Sequence, residues 1–299
     1  MKVKHLLGII AAVIIIGGVA FLFSMDDNQN GPRFLFAFDG GAEHRLKDPT
    51  YAVADKRGYI WVSDSGNGRV RVFDKKGRFR LELGGPGSKL KLQYPYGLGF
   101  IGSDRVIVAD AGANALYEFD RGGRYIKTWL APENKVQPAG VFVFKNKVYV
   151  TDMANGQVLV FTEEGILKEK IKPDQVALGG PQGITVTGEG IWVADSANYN
   201  VKLIGSDGEL KTIFDGGPGW PLTMAKGLAV DRRGRIYVAD TFSNTIRVFD
   251  KKGNDLFNLG SGDPKKTIFL FPVGISVDYK EKIYIADQGN NQIQVWSLK

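Results

Sequence analysis

Ile-Tyr-Val-Ala-Asp at residues 236–240 is one copy of a motif that occurs six times, in which apolar residues precede a small residue and an aspartate. The copies end in Trp61-Val62-Ser63-Asp64, Ile107-Val108-Ala109-Asp110, Tyr149-Val150-Thr151-Asp152, Trp192-Val193-Ala194-Asp195, Tyr237-Val238-Ala239-Asp240 and Tyr284-Ile285-Ala286-Asp287. Successive aspartates lie 46, 42, 43, 45 and 47 residues apart. A period of this length, carried by β-branched and aromatic runs, is typical of a β-propeller with one four-stranded blade per repeat.

The fifth repeat illustrates how one blade is encoded. Residues 227–231, 234–240, 245–250 and 253–259 are apolar-rich segments of strand length, separated by short polar turns. Two of these turns run from an aspartate to a glycine, which adopts the positive φ that such turns require. The repeat therefore predicts four consecutive antiparallel strands.

Each repeated aspartate is followed three or four residues later by an asparagine. The asparagines are Asn67, Asn114, Asn155, Asn198, Asn244 and Asn290. Converging carboxylates could instead bind calcium or act in acid/base catalysis, but a catalytic site needs unlike residues that break the symmetry. Because every copy carries the pair, we expect Asp64, Asp110, Asp152, Asp195, Asp240 and Asp287 to be structural turn residues.

The patterns Pro-x-Gly, Tyr-Val-Ala-Asp-x-x-Asn and Val-x-Val-Phe-Asp resemble the NHL repeat over residues 46 to 299. The sequence departs from it at Tyr51, where glycine is expected, and at Ala225, where proline is expected. The resemblance implies an all-β, six-bladed β-propeller and a group that includes sensor and scaffolding propellers.

The two ends of the repeat region suggest how the ring closes. The last repeat ends after its third strand, at 292–297, whereas an additional apolar strand, 33–38, precedes the first repeat. We expect this N-terminal strand to complete the last blade and close the ring, because mixing both termini in one blade protects the loose edges.

The N-terminal region predicts a membrane anchor. Residues 6–23 form an uncharged apolar stretch of 18 residues, preceded by Lys2 and Lys4. This is long enough for a transmembrane helix with its lysines in the cytoplasm. The predicted organisation is a cytoplasmic segment (1–5), a signal anchor (6–23), a linker (24–32) and an extracytoplasmic propeller (33–299). A cleaved signal peptide is the alternative, since 18–20 (Gly-Val-Ala) is a tolerable cleavage sequence.

Charge and cysteine content exclude several function classes. The net charge is +7, but the lysines and arginines are scattered through turns, so no nucleic-acid partner is predicted. The chain has no cysteine, which excludes disulfides, thiolate metal sites and a lipoprotein anchor.

Two rings of loop positions carry no catalytic set. One ring contains Thr50, Tyr96, Ala139, Gln182, Lys226 and Val273; the other contains Ser65, Ala111, Met153, Ser196, Thr241 and Gln288. Lactonases and lyases on similar propellers use carboxylates or histidines here, whereas the only histidines of this chain are His5 and His44. We therefore predict no cofactor, no metal and no enzymatic activity; a metal-dependent hydrolase or lyase is the alternative.

The repeats differ most in the connections between blades, 84–94, 215–224 and 260–271, which carry large apolar residues. Such side chains dominate protein interfaces, although they could equally fold back onto the core. The candidate interaction residues on these connections and rings are Tyr94, Tyr96, Gln182, Trp220, Leu222, Met224, Lys226, Phe269 and Leu270. The predicted function is a membrane-tethered scaffold or sensor that binds a protein partner of unknown identity.

Overall fold

Six four-stranded antiparallel sheets make up the computed structural model of this protein. The structure describes residues 32–173, 176–259 and 269–298, together with the backbone of two short paired strands, Ile15–Ile16 (β1) and Val19–Ala20 (β2). The first strand of every sheet contributes to one central cavity, so the sheets are blades arranged around an axis. The prediction of an all-β, six-bladed propeller is confirmed.

Blades one to three follow the chain from the axis outward. Blade one contains Tyr51–Ala54 (β4), Ile60–Asp64 (β5), Arg69–Phe73 (β6) and Phe79–Leu83 (β7). Blade two contains Pro95–Ile101 (β8), Arg105–Asp110 (β9), Ala115–Asp120 (β10) and Tyr125–Leu130 (β11). Blade three contains Pro138–Phe144 (β12), Lys147–Asp152 (β13), Gln157–Thr162 (β14) and Leu167–Ile171 (β15).

Blades four and five repeat the same order. Blade four contains Pro181–Thr187 (β16), Gly190–Asp195 (β17), Asn200–Ile204 (β18) and Leu210–Phe214 (β19). Blade five contains Ala225–Val230 (β20), Ile236–Asp240 (β21), Thr245–Phe249 (β22) and Asp255–Leu259 (β23). Short 3₁₀ turns lie at Ser65–Asn67, Pro132–Asn134, Ser196–Asn198 and Gln288–Asn290.

The sixth sheet combines both ends of the repeat region. It contains Pro272–Val277 (β24), Lys282–Asp287 (β25) and Gln292–Ser297 (β26), with Arg33–Phe38 (β3) as its outermost strand. β3 pairs antiparallel with β26, so that Phe38 lies opposite Ile293 and Arg33 opposite Ser297.

Hydrophobic clusters fill the space between adjacent blades. Trp61 of blade one packs with Val108 and Phe119 of blade two, and equivalent clusters follow around the axis. Blade six packs on blade one through Tyr284 and Phe73. Each fully buried apolar side chain contributes about 1.5–3 kcal/mol, so these clusters are the main source of stability.

Glycine sets the spacing of the inner strands. A Cβ on Gly140 would lie 2.2 Å from the carbonyl oxygen of Gln182 in the next blade, and one on Gly227 would lie 2.2 Å from that of Val273. Only glycine permits such close backbone approach. In blade one Tyr51 occupies this position, and its ring lines the axis.

Most of the predicted anchor, 6–23, lies outside the described residues; within it the structure gives only the backbone of β1 and β2. In the part of the chain that the structure describes, no helix is long and apolar enough to cross a membrane.

Candidate functional site

The six repeated aspartates join each blade to the connection that enters it. All six are fully buried, and each accepts backbone N–H groups from the segment that precedes the first strand of its own blade. Asp110, for example, accepts from Gln93 and Tyr94 at 2.8 Å each. The inter-blade connections and the turns after the aspartates therefore lie at one end of the propeller, which we call the loop face.

The asparagines after the aspartates have two roles, not one. In four repeats the asparagine lies three residues after the aspartate and donates its side-chain amide to that carboxylate; these are Asn67, Asn155, Asn198 and Asn290. Asn114 and Asn244 lie four residues after it and instead adopt positive φ angles of 52° and 56°. The residue four positions after the aspartate has a positive φ in all six repeats. An asparagine three residues after the aspartate therefore binds the carboxylate, whereas an asparagine four residues after it supplies the positive φ.

Four of the aspartates also accept hydrogen bonds from side chains on the neighbouring strand: Asp64, Asp152, Asp195 and Asp287. Asp195 pairs with the ammonium of Lys202, and both side chains are fully buried. Asp287 accepts from Gln292 and Gln294 at 2.8 and 2.9 Å. Such carboxylates are engaged within their own blades and separate from one another. Across the described ranges, no three His, Cys, Asp or Glu side chains are grouped so that they could hold a metal ion.

The first ring of loop positions forms a narrow neck at the axis. Tyr96, Gln182 and Lys226 are half-buried and line this neck. The Tyr96 hydroxyl donates to the side-chain carbonyl of Gln182 at 2.5 Å, across the small Ala139 of the intervening blade. Burial raises the pKa of Tyr96 above its ordinary value and lowers that of Lys226.

Other ring positions are structural. Ser65, Ser196 and Thr241 are buried, and each hydroxyl donates to a backbone carbonyl at the start of the next blade's first strand. These hydroxyls link neighbouring blades and are not available to a ligand. His44 lies away from the axis and stacks on Phe79 at a centroid distance of 3.8 Å.

Two of the predicted interaction residues, Leu222 and Phe269, are buried. Leu222 is 3% exposed and Phe269 is 0% exposed, because both fold back and pack into the clusters on either side of blade five. Tyr94 and Met224 are half-buried on the loop face. Trp220 and Leu270 are 42% and 37% exposed, so they remain candidates for contact with a partner.

The sequence interpretation missed Phe242. It lies two residues after Asp240, and the other five repeats have glycine or alanine there. Phe242 is 56% exposed and meets Phe271 edge-on, with ring centroids 6.4 Å apart. A column-by-column comparison of the repeats would have found this residue, since it is the one large side chain at that position.

Trp220 is held on a buried arginine. The guanidinium of Arg247 lies 4.7 Å from its ring centroid and donates to the Trp220 carbonyl and to Asp255. We call four exposed side chains of blade five and its two connections the blade-five surface: Trp220, Phe242, Leu270 and Phe271.

Sequence comparisons match the same blade. The NHL repeat model matches residues 222–249. The chain is similar to the E3 ubiquitin-protein ligase NHLRC1 of Mus musculus, at 31% identity over 67% of this chain and 55% of that protein. It is also similar to Protein brain tumor of Drosophila melanogaster, at 25% identity over 44% of this chain and 13% of that protein. The chain thus spans about half the length of NHLRC1 and much less of Protein brain tumor.

Solved structures share the fold. A protein of unknown function from Bacteroides thetaiotaomicron superposes with a TM-score of 0.69 at 17% identity, covering 90% of this chain and 72% of that one. A virginiamycin B lyase from Staphylococcus aureus superposes with a TM-score of 0.61 at 19% identity, covering 84% and 80%. At these identities the likeness extends to the fold alone.

Proposed function

We propose that this protein is a membrane-tethered propeller that binds a protein partner outside the cytoplasm through the blade-five surface. The exposed pair Phe242 and Phe271 carries the proposal, because both aromatic rings lie in solvent and Phe242 stands where the other five repeats have glycine or alanine. Exposed aromatic groups of this kind mark sites of protein contact.

The argument for Trp220 as a contact residue concerns binding energy. Tryptophan and arginine are enriched among the residues that dominate binding energy, and rings held rigid before binding lose little entropy in the complex. Arg247 supplies that rigidity, since it stacks under the ring and binds the backbone of the same loop.

The similar proteins agree with a protein partner. A ubiquitin-protein ligase is by name an enzyme that acts on proteins. Because this chain spans about half of NHLRC1, the proposal takes from that similarity only the binding of a protein and not ligase activity.

The tether is proposed from the uncharged stretch 6–23 and its two preceding lysines. The register of β3 shows at which end of the propeller this strand begins. Arg33 pairs with Ser297, whereas Phe38 pairs with Ile293 near the loop-face turn, so β3 begins at the end opposite the loop face. A linker at residues 24–32 would then attach the propeller by its opposite face and direct the blade-five surface away from the membrane.

We also propose that β3 closes the ring. Its pairing with β26 covers an edge that would otherwise be exposed, and Phe34 packs edge-on against Trp296 with centroids 5.5 Å apart. Unpaired strand edges are sites of aggregation, so this strand stabilises the outer edge of blade six.

A pair of matched triple variants tests the partner proposal. In the full-length chain, Trp220→Ala, Phe242→Ala and Phe271→Ala together should abolish copurification of a stoichiometric partner identified by mass spectrometry. The control replaces three exposed apolar residues in turns at the opposite end, Tyr59, Ile166 and Tyr279, with alanine. Equal partner recovery with both variants contradicts the proposal.

The absence of cysteine permits a clean test of topology. A single Lys76→Cys change, in an exposed turn, should react with a membrane-impermeant maleimide on intact cells. Labelling only after lysis contradicts an extracytoplasmic propeller.

A further inference from the structure

Below the neck, the axis widens into a chamber of about 220 Å³. The residues that line it come from the inner strands and are mostly apolar; among them Val53, Val143, Val230 and Val277 are half-buried. Among the described residues that line it, none is charged. The chamber is therefore an uncharged space inside a protein whose surface is strongly charged.

The hydroxyl groups of Thr185 and Ser276 at the wall are already engaged. Thr185 donates to the carbonyl oxygen of Leu228 at 3.2 Å, and Ser276 donates to that of Ala52 at 2.7 Å. Apart from the Tyr51 hydroxyl, the side chains at the wall offer water few free polar partners, and water needs two to four partners to be well held. An apolar guest suits the chamber better.

The chamber is reached from the end opposite the loop face. Phe100, Val143 and Val277 line both the chamber and a wider opening of about 580 Å³ at that end. A ligand can enter there without passing through the narrow neck.

An unpaired cation lies at the upper end. Lys226 is half-buried in the neck, and within the described ranges its ammonium has neither a hydrogen bond nor an ion pair. Burial lowers its pKa, with no carboxylate to offset the effect. Because a buried charge is costly unless it is paired, this position favours an anionic partner.

The cation and the chamber are joined by one strand. Along β20, Lys226 lines the neck, Leu228 lines both the neck and the chamber, and Val230 lines the chamber. At about 3.3 Å per residue, Lys226 and Val230 are separated by about 13 Å. A ligand lying along this strand would have one charged end and one apolar end.

We propose that the axial chamber binds a medium-chain aliphatic carboxylate, with its tail in the chamber and its carboxylate at Lys226. A dry aliphatic cavity of about 150 Å³ accommodates benzene, so by volume this chamber accommodates about eight or nine carbons. Octanoate meets both requirements.

The test is calorimetric titration of octanoate into the full-length chain in lipid nanodiscs, with empty nanodiscs subtracted. We expect saturable binding with one site per chain. Butanoate, which is four methylene groups shorter, should bind about 200-fold more weakly. Octan-1-ol should bind at least 10-fold more weakly, since it lacks the charge.

Two lysine variants separate the proposed site from non-specific attraction. Lys226→Met should weaken octanoate binding at least 10-fold without lowering the melting temperature, because this ammonium makes no contact that supports the fold. Lys145→Met, at the opposite opening, should leave binding unchanged. Absence of saturable binding, unchanged affinity in Lys226→Met, or loss of binding in Lys145→Met overturns the proposal.

Discussion

Single residues determine how closely neighbouring blades approach. The inner-strand glycines face the backbone of the next blade, whereas Gly188 has no atom within 4 Å of a Cβ built on it. The same residue type is therefore essential at one position and replaceable at another.

Gly140→Ala should lower the free energy of unfolding by about 1–3 kcal/mol, because the new methyl group would overlap the Gln182 carbonyl unless blades three and four separate. Gly188→Ala is the matched control and should be close to neutral. Urea unfolding measures both. Equal effects would show that inner-strand contact does not depend on glycine.

Asp195→Asn should cost about 3–5 kcal/mol, since it leaves the ammonium of Lys202 buried without its charge partner. Asp207→Asn, in an exposed turn of the same blade, should change the free energy of unfolding by no more than about 0.5 kcal/mol. A small effect at Asp195 would mean that water reaches Lys202.

Particular residues show what the sequence could and could not predict. The spacing of the aspartates predicts the blades because a fixed period reflects a repeated local structure. Burial of Leu222 and Phe269 could not be predicted, because it depends on space between blades that no local pattern encodes. Phe242 was predictable in principle, since the other five repeats have glycine or alanine at the same position.

At the scale of elements, β3 contributes contacts that no strand within the repeats can replace. Its aromatic side chains contact two blades. Phe34 packs on Trp296, and the ring centroid of Phe38 lies 4.9 Å from that of Phe73 in blade one. Loss of this strand should therefore affect the interface between blades six and one as well as the edge of blade six.

A chain beginning at residue 39 should melt about 10 °C or more below a chain beginning at residue 32. The difference is β3, and removing its partly buried phenylalanines costs on the order of 5 kcal/mol. Differential scanning calorimetry compares the two. Identical melting would contradict the proposed closure.

The whole molecule combines a regular scaffold with an irregular surface. Six similar blades form the ring, and blade five with its two connections carries the exposed Trp220, Phe242, Leu270 and Phe271. The direction of β3 orients that surface away from the end where the proposed tether attaches.

Photo-crosslinking in intact cells tests most directly whether the blade-five surface binds a partner. The full-length chain would carry p-benzoylphenylalanine at Phe242 or, as the control, at Tyr279 in a turn at the opposite end. We predict a single discrete crosslinked protein from position 242 and none from position 279. Crosslinking from 279 alone, or from neither position, would contradict a partner-binding role for the blade-five surface.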